Sequence, residues 1–152
     1  MRIGVISDTH DLLDPQVPGL FADVEHILHG GDVGLPWLVL KLEEIAPVTA
    51  VLGNTDVGIS LRETEVVQLD GRKFLVHHIV NPHSLHDQLA ARVAKEKPDV
   101  VIFGHTHKPF CETIDGILYL NPGYAGRQRF SLPRSLAILE TKPELKVEFK
   151  PL

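Results

Sequence analysis

Short apolar runs alternate with amphipathic segments along the chain, a pattern typical of an α/β protein. Apolar spacing at Leu38, Leu42 and Ile45 predicts a helix over residues 35–46, where Pro36 is tolerated near the start. A second helical pattern runs from about residue 82 to 97, with Leu85, Leu89 and Val93 on one face. The β-branched, apolar runs predict strands over residues 2–7, 24–30, 48–53 and 99–104.

The remaining apolar runs predict hairpins and further strands. Residues 66–78 read as a hairpin that turns at Asp70 and Gly71, and residues 110–114 and 117–121 as a second one that turns at Asp115 and Gly116. Strands over residues 134–141 and 144–150 complete the chain. We therefore expect one α/β domain over residues 1–152, with a partly parallel N-terminal sheet and a more antiparallel C-terminal half.

Composition narrows the classes of function. A domain of 152 residues can bury a substantial core. The formal charge of -5 and the absence of a basic cluster argue against long nucleic acid as a partner. Because no apolar stretch approaches the roughly 20 residues of a bilayer span and the N-terminus lacks a leader pattern, we expect a cytoplasmic protein with no membrane partner. Cys111, which we expect in the core, is the only cysteine and forms no internal disulfide. A homo-oligomer is compatible with the sequence.

Polar side chains suited to metal binding follow five of the predicted strands. The stretch VVIFGHTH, residues 100–107, shows the pattern: a buried strand ends in glycine and two histidines. Ligands bind beyond the carboxyl ends of strands in open α/β sheets, and side chains at i and i+2 can leave a strand end on one side. The candidates are Asp8 and His10, Asp32, Asn54 with Asp56, His77 or His78, and His105 with His107. Two carboxylates, one amide and four imidazoles suffice for two metal ions that share a carboxylate.

Each motif taken alone also has a structural explanation. Asp8 could cap a short helix, Asn54 and Asp56 could form a turn, and Asp32 could mark a simple strand exit. His105 and His107 are harder to explain in this way, because buried imidazoles without partners cost free energy. Five strand ends that carry suitable donors favour the metal interpretation.

The same series of motifs resembles the calcineurin-like metallophosphoesterase superfamily. The match consists of Asp8-x-His10, Gly31-Asp32, Gly53-Asn54-x-Asp56, a histidine after the fifth run, and Gly104-His105-Thr106-His107. It covers nearly the whole chain, including Asn121-Pro122-Gly123, and is most similar to the small, single-domain YfcE-type phosphodiesterase group. The resemblance implies a four-layer αββα sandwich.

The resemblance also implies a ligand set and a reaction. One metal would be held by Asp8, His10, Asp32 and His107, and the other by Asp32, Asn54, His78 and His105, with Asp32 as the bridge. Nitrogen and oxygen donors without thiolate suit Mn²⁺, our first expectation, and also Ni²⁺, Zn²⁺, Fe²⁺ or Co²⁺, better than Ca²⁺ or Mg²⁺. A hydroxide generated between the two ions would attack the phosphorus of a small phosphodiester, with Asn54 and His78 supporting the developing charge. Asp56 would accept a hydrogen bond from a ligating imidazole.

Two positions depart from the family pattern. Thr55 stands where many relatives carry a histidine that helps to protonate the leaving group. This favours substrates with good leaving groups and argues against the alternative of a phosphomonoesterase. The fifth motif reads His77-His78-Ile79, with Ile79 in place of the usual glycine. Counting from the Asp70-Gly71 turn indicates His78 as the ligand, and a register shift of one would make it His77.

Other residues have weaker claims to function. His83 and His86 are expected on a solvated helix face, and His26 and His29 in structural roles. The arginines after Asn121-Pro122-Gly123 could orient a phosphate but more often lie in solvent; they are Arg127, Arg129 and Arg134. No segment is long enough for a cap domain, so we expect an open site. A second hypothesis is a non-catalytic protein-binding scaffold, because a retromer subunit shares the fold that the resemblance implies.

Overall fold

The computed structural model describes all 152 residues and contains ten strands and three helices. The helices are α1 (Val17–Leu20), α2 (Pro36–Glu43) and α3 (Asp87–Glu96). The first five strands are β1 (Arg2–Ile6), β2 (His26–His29), β3 (Val48–Ala50), β4 (Thr64–Leu69) and β5 (Arg72–His77). The last five are β6 (Val100–Ile102), β7 (Pro109–Ile114), β8 (Ile117–Pro122), β9 (Ser135–Glu140) and β10 (Lys146–Pro151).

The strands form two mixed sheets of five strands each. The first has the order β10-β9-β1-β2-β3, and the second β4-β5-β6-β8-β7. Strands β1, β2 and β3 are parallel, and so are β5, β6 and β8, whereas β4, β7, β9 and β10 pair antiparallel with their neighbours. The prediction of a more antiparallel C-terminal half agrees with the antiparallel pairs β1–β9, β9–β10 and β7–β8, although β8 lies parallel to β6 and β9 and β10 extend the N-terminal sheet.

The two sheets pack face to face, and the helices cover their outer faces. Side chains alternate along β1, so that Ile3 and Val5 lie between the sheets while Ile6 lies in the outer cluster with α1 and α2. On the other outer face, Leu89 and Val93 of α3 pack in the cluster that covers the second sheet. Burial of each such side chain stabilises the fold by about 1.5–3 kcal/mol. The layers confirm the expected four-layer αββα sandwich, and they leave the carboxyl ends of both parallel strand sets at one edge.

Both predicted hairpins are present, with the turn residues in the predicted places. Asp70 and Gly71 have φ values of 52° and 76°, and Asp115 and Gly116 have 50° and 79°. Two successive residues at positive φ match the right-handed twist of the flanking strands, which is why Asp-Gly is favoured there. The turn at Asp70 fixes the register of β5 and hence the side from which each of its histidines emerges.

Other elements differ from the sequence predictions. Helix α1 was not predicted, because one turn containing a proline shows no helical periodicity. Helix α3 begins at Asp87 instead of near residue 82, because His86 is extended and its side chain accepts a hydrogen bond from the Leu89 amide. Cys111 lies exposed on the edge strand β7 instead of in the core. None of the helices has the length and apolarity that crossing a bilayer requires.

Candidate metal centre

The structure brings the seven predicted ligand side chains together at one edge of the two sheets. They come from the segments after β1, β2, β3, β5 and β6, namely Asp8, His10, Asp32, Asn54, His78, His105 and His107. The parallel strands point the same way, so their following loops meet at this edge. Two sets of carboxylate and imidazole atoms lie within 4.8 Å of one another: Asp8, His10 and His107 form one, and Asp8, Asp32 and His78 the other.

Distances within the cluster are short enough for shared coordination. Asp8 Oδ1 lies 3.3 Å from His107 Nε2 and 3.9 Å from His78 Nε2. Asp32 Oδ2 lies 3.3 Å from His78 Nε2 and 3.7 Å from His10 Nε2. Both carboxylates therefore face both sets of imidazoles, as a bridging ligand must.

The amide of Asn54 joins the second set to His105. Its Oδ1 lies 2.9 Å from His78 Nε2 and 3.0 Å from His105 Nδ1. An amide oxygen and two imidazole nitrogens that converge in this way resemble one side of a coordination sphere. Asn54 and His105 are also the two exposed members of the cluster, so this side of the centre faces solvent.

Asp8 is oriented by its neighbours but keeps one oxygen without a partner. The Ser7 hydroxyl donates to Asp8 Oδ2 at 2.7 Å, and the backbone N–H of His105 donates to the same atom at 3.1 Å. Asp8 Oδ1 is buried and has no hydrogen-bond partner, and the same holds for His10 Nε2. Leaving such atoms unpaired costs about 1–3 kcal/mol each, and more for a charged oxygen. A cation between them would remove that cost, so the residues present fit a metal ion.

Hydrogen bonds also fix Asp32 and His78. Burial raises the pKa of Asp32, but the hydrogen bond with His78 and the Thr55 backbone N–H at 2.9 Å outweigh it, so the carboxyl pKa is well below its usual range. Burial lowers the pKa of His78, and the carboxylates of Asp32 and Asp8 more than compensate, so the pKa is raised. His78 Nδ1 faces the Gly30 carbonyl oxygen at 2.7 Å and donates to it, which turns Nε2 toward the cluster.

The backbone at the site is held in an unusual conformation. Five of the seven side chains stand on residues with positive φ, which are Asp8, His10, Asp32, His105 and His107. Such residues cost free energy and cluster at functional sites. Glycines allow the close approach of the loops: a Cβ on Gly104 would overlap the Ser7 hydroxyl, and one on Gly53 would overlap Asp32.

The register at the end of β5 places His78, and not His77, in the cluster. His77 emerges on the other side of the strand, where its Nδ1 lies 2.8 Å from the Thr64 hydroxyl. Its ring is 5.8 Å from that of His86. The geometry thus favours His78 as the ligand of the fifth motif.

Asp56 does not contact an imidazole, so its predicted role was wrong. Its carboxylate accepts hydrogen bonds from three backbone amides, those of Val33 at 3.2 Å, Gly34 at 2.9 Å and Gly53 at 2.8 Å. Asp56 therefore ties the loop that carries Asp32 to the loop that carries Asn54. The sequence motif placed the carboxylate at the site but could not reveal its partners.

Two supporting residues were not identified as such from the sequence. The Tyr124 ring stacks on His107, with centroids 4.9 Å apart and planes at 19°, and its hydroxyl donates to the Leu132 carbonyl at 2.6 Å. The Asn121 side-chain amide donates to the Gly104 carbonyl at 2.9 Å and so holds the loop of His105 and His107. The Asn121-Pro122-Gly123 segment was a signal for Asn121. Nothing in the sequence marked Tyr124.

The structure also decides the roles of several candidates with weaker claims. His29 is fully buried beneath the site, between the Thr9 hydroxyl and the Gly31 amide, and burial lowers its pKa to about 4, in line with a structural role. Arg134 pairs with Asp14 at 2.9 Å and donates to the Ala125 carbonyl, so it braces the fold and is not available to a phosphate. Arg127 and Arg129 are exposed.

A cleft of about 320 Å³ opens beside the cluster. It is lined by Leu52, Gly53, Asn54, Glu63, His77, His78, Ile79 and His86. Asn54 and His78 belong to both the cleft and the cluster, so a molecule in the cleft would reach the metal centre. His86 is exposed, as predicted, but it is the residue that caps α3 and it forms part of this wall.

The chain is similar in sequence and in structure to several known proteins. Residues 1–144 match the calcineurin-like phosphoesterase superfamily domain. A probable metallophosphoesterase of Methanothermobacter thermautotrophicus is 36% identical over 146 residues, which cover 91% of this chain and 85% of that protein. The phosphodiesterase MJ0936 of Methanocaldococcus jannaschii is 30% identical over 164 residues, or 93% and 94% of the two chains. A crystal structure of a Vps29 single mutant from Entamoeba histolytica aligns over 100% of this chain and 99% of its own, with a TM-score of 0.77 and 25% identity.

Proposed function

This chain belongs to the calcineurin-like phosphoesterase superfamily, within its YfcE-type phosphodiesterase group, and from that premise we propose that it hydrolyses small phosphodiesters with two divalent metal ions. The observation that carries the proposal is the pair of buried, unpartnered atoms Asp8 Oδ1 and His10 Nε2. They stand where two sets of ligand side chains share the carboxylate of Asp8, and the carboxylate of Asp32 belongs to the second set.

We propose the ligand assignment that the family resemblance implies. Asp8, His10, Asp32 and His107 would hold one ion, and Asp32, Asn54, His78 and His105 the other. The Asp32 oxygen that faces both His10 and His78 supports its role as the bridge. Nitrogen and oxygen donors without sulfur suit Mn²⁺, Ni²⁺, Zn²⁺, Fe²⁺ and Co²⁺ alike. Of these metals we propose Mn²⁺ first.

Two metal ions, when bound, would lower the pKa of water and neutralise the phosphoryl oxygens. The chain's own residues then orient the substrate. Asn54 stands where the cleft meets the cluster, and its side-chain NH2 group is placed to donate to the phosphoryl group and to support the charge that develops on it. His78, whose two ring nitrogens face the Gly30 carbonyl and the cluster, would support that charge through the metal ion that it holds.

The proposed substrate class follows from a histidine that the site lacks, because Thr55 stands at its position. Thr55 is exposed, and its contact with the cluster is a backbone N–H to Asp32, so it offers no proton donor to a leaving group. We therefore propose phosphodiesters with good leaving groups as substrates, in preference to phosphomonoesters.

Hydrolysis of a matched pair of aryl esters tests this proposal. Purified protein supplemented with Mn²⁺, Ni²⁺ or Zn²⁺ is assayed with bis(p-nitrophenyl) phosphate and with p-nitrophenyl phosphate. We expect kcat/KM for the diester to exceed that for the monoester by at least about tenfold, a difference of about 1.4 kcal/mol in the barrier. Higher activity on the monoester would support a phosphomonoesterase instead.

A protein-binding scaffold is the second candidate, favoured by the structural likeness to Vps29. The retained ligand set argues for catalysis, because a scaffold has no need of seven converging donors or of five strained residues that present them. Absence of turnover with all three metals would favour the scaffold. Long nucleic acid and membranes are not proposed as partners.

A further inference from the structure

The cleft beside the metal centre has a chemical character of its own. Its side walls carry one carboxylate, Glu63, and two imidazoles, those of His77 and His86. Leu52 and Ile79 provide apolar walls, so the cleft can contact both the polar edge and the flat face of a ligand. A volume of about 320 Å³ lies within the range of small-molecule sites.

The charge of the cleft selects among phosphodiesters. Glu63 is exposed to the cleft and its carboxylate would repel a second phosphate on the substrate. Arg92, which lines the adjoining groove with Glu63 and His86, is paired through Nε with Glu96 at 3.3 Å, so its charge is already partly offset by a carboxylate. The group that enters the cleft should therefore be neutral and rich in hydroxyls.

Hydrogen-bonding roles in the cleft are largely fixed. The Nδ1 atom of His86 accepts from the Leu89 amide at 3.3 Å, which leaves Nε2 as the donor of the neutral ring. Glu63 is an acceptor with two oxygens, which match two adjacent hydroxyl groups. The two carboxylate oxygens of Glu63 can accept from the two hydroxyls of a ribose, and the Nε2–H of His86 can donate to one of them. The apolar side chains of Leu52 and Ile79 fit a nucleobase.

We propose that this cleft binds the ribose diol of a nucleoside, and that the substrates of this enzyme are phosphodiesters of ribonucleosides. The proposal rests on the proposed phosphodiesterase function and names its substrate class. Glu63 and His86 are specificity residues in this account, whereas the metal ligands supply the reaction itself.

A pair of esters that differ only in the diol tests the proposal. The substrates are the p-nitrophenyl esters of uridine 5′-phosphate and of 2′,3′-dideoxyuridine 5′-phosphate, assayed with the Mn²⁺-loaded protein. We expect kcat/KM to be about tenfold or more higher for the ribose ester, the effect of one charge-assisted hydrogen bond. Glu63→Ala should bring the ratio close to one, and His86→Asn, which keeps an acceptor before α3, should lower it several-fold.

Glu65→Ala is the matched control, because Glu65 lines a different groove with Val39 and Glu43. It should leave the ratio at the wild-type value. Equal rates for both esters in the wild-type protein, or a preference that survives in Glu63→Ala, would overturn the proposal. If no ester is hydrolysed, the proposed phosphodiesterase function fails. Calorimetry then still tests the cleft by comparing the binding of uridine 5′-monophosphate with that of its dideoxy analogue. Equal binding of the two, or no binding of either, would refute the proposed diol site.

Discussion

Removal of the Asp56 carboxylate should loosen the site without touching a metal ligand. Asp56 Oδ2 accepts from the backbone amides of Val33 and Gly53, and Oδ1 from that of Gly34. A hydrogen bond to a charged group contributes about 1.5–3 kcal/mol when buried. Because Asp56 is only half-buried and water can reach the freed amides, we discount each of the three bonds to about 1 kcal/mol and expect Asp56→Ala to lower the free energy of unfolding by about 3 kcal/mol.

Asp56→Asn provides a graded comparison. An amide oxygen in the place of Oδ2 keeps the bonds to Val33 and Gly53 at neutral strength, while the amide nitrogen faces the Gly34 N–H and loses that bond. The expected loss is about half that of Asp56→Ala, or about 1.5 kcal/mol. Both variants should also bind metal more weakly, because Asp56 ties the Asp32 loop to the Asn54 loop.

Urea unfolding of the metal-free proteins, followed by far-UV circular dichroism, measures these changes. Asp23→Ala is the control, since Asp23 is an exposed acid paired only with Arg2, and it should change stability by less than about 0.5 kcal/mol. An Asp56→Ala loss as small as that of Asp23→Ala would refute the role assigned to Asp56.

Three further predictions follow from the site. His78→Ala should abolish both metal binding and turnover, whereas His77→Ala should retain bound metal; loss of metal in His77→Ala alone would reverse the register. Ile79 lines the cleft beside the cluster and also a second cleft that includes Gly104 and His105, so Ile79→Gly should raise KM for bis(p-nitrophenyl) phosphate about fivefold through lost apolar contact, and an unchanged KM would contradict this. The pKa of His29 is lowered to about 4 by burial, against about 6.5 when unfolded, so stability falls as the pH drops from 6.5 to 4. At 1.36 kcal/mol for each unit, the wild-type protein should lose about 3 kcal/mol over that range relative to His29→Gln in metal-free urea titrations, and parallel curves would argue against it.

The sequence predicted the hairpins and brought out the residues of the candidate metal centre for a clear physical reason. Asp-Gly pairs indicate the positive φ of a tight turn, and metal-ligand side chains that follow apolar runs indicate the carboxyl ends of strands. These signals are local, so they can be recognised in the sequence without knowledge of the fold. The register at His78 followed from the same logic, since the turn at Asp70 fixes the whole of β5.

The features that were missed depend on contacts between distant segments. Asp56 accepts from amides more than 20 residues away, and Tyr124 stacks on a histidine whose place only the fold defines. The position of β9 beside β1 likewise depends on pairing across almost the full chain. No period or motif in the sequence carries such information.

Metal titration of turnover tests the central claim most directly. Protein stripped with a chelator is titrated with Mn²⁺ while hydrolysis of bis(p-nitrophenyl) phosphate is followed. The account predicts activity that rises with added metal and saturates at two equivalents for each chain. Saturation at one equivalent would contradict the dinuclear centre, and absence of turnover with Mn²⁺, Ni²⁺ and Zn²⁺ would contradict the enzyme itself.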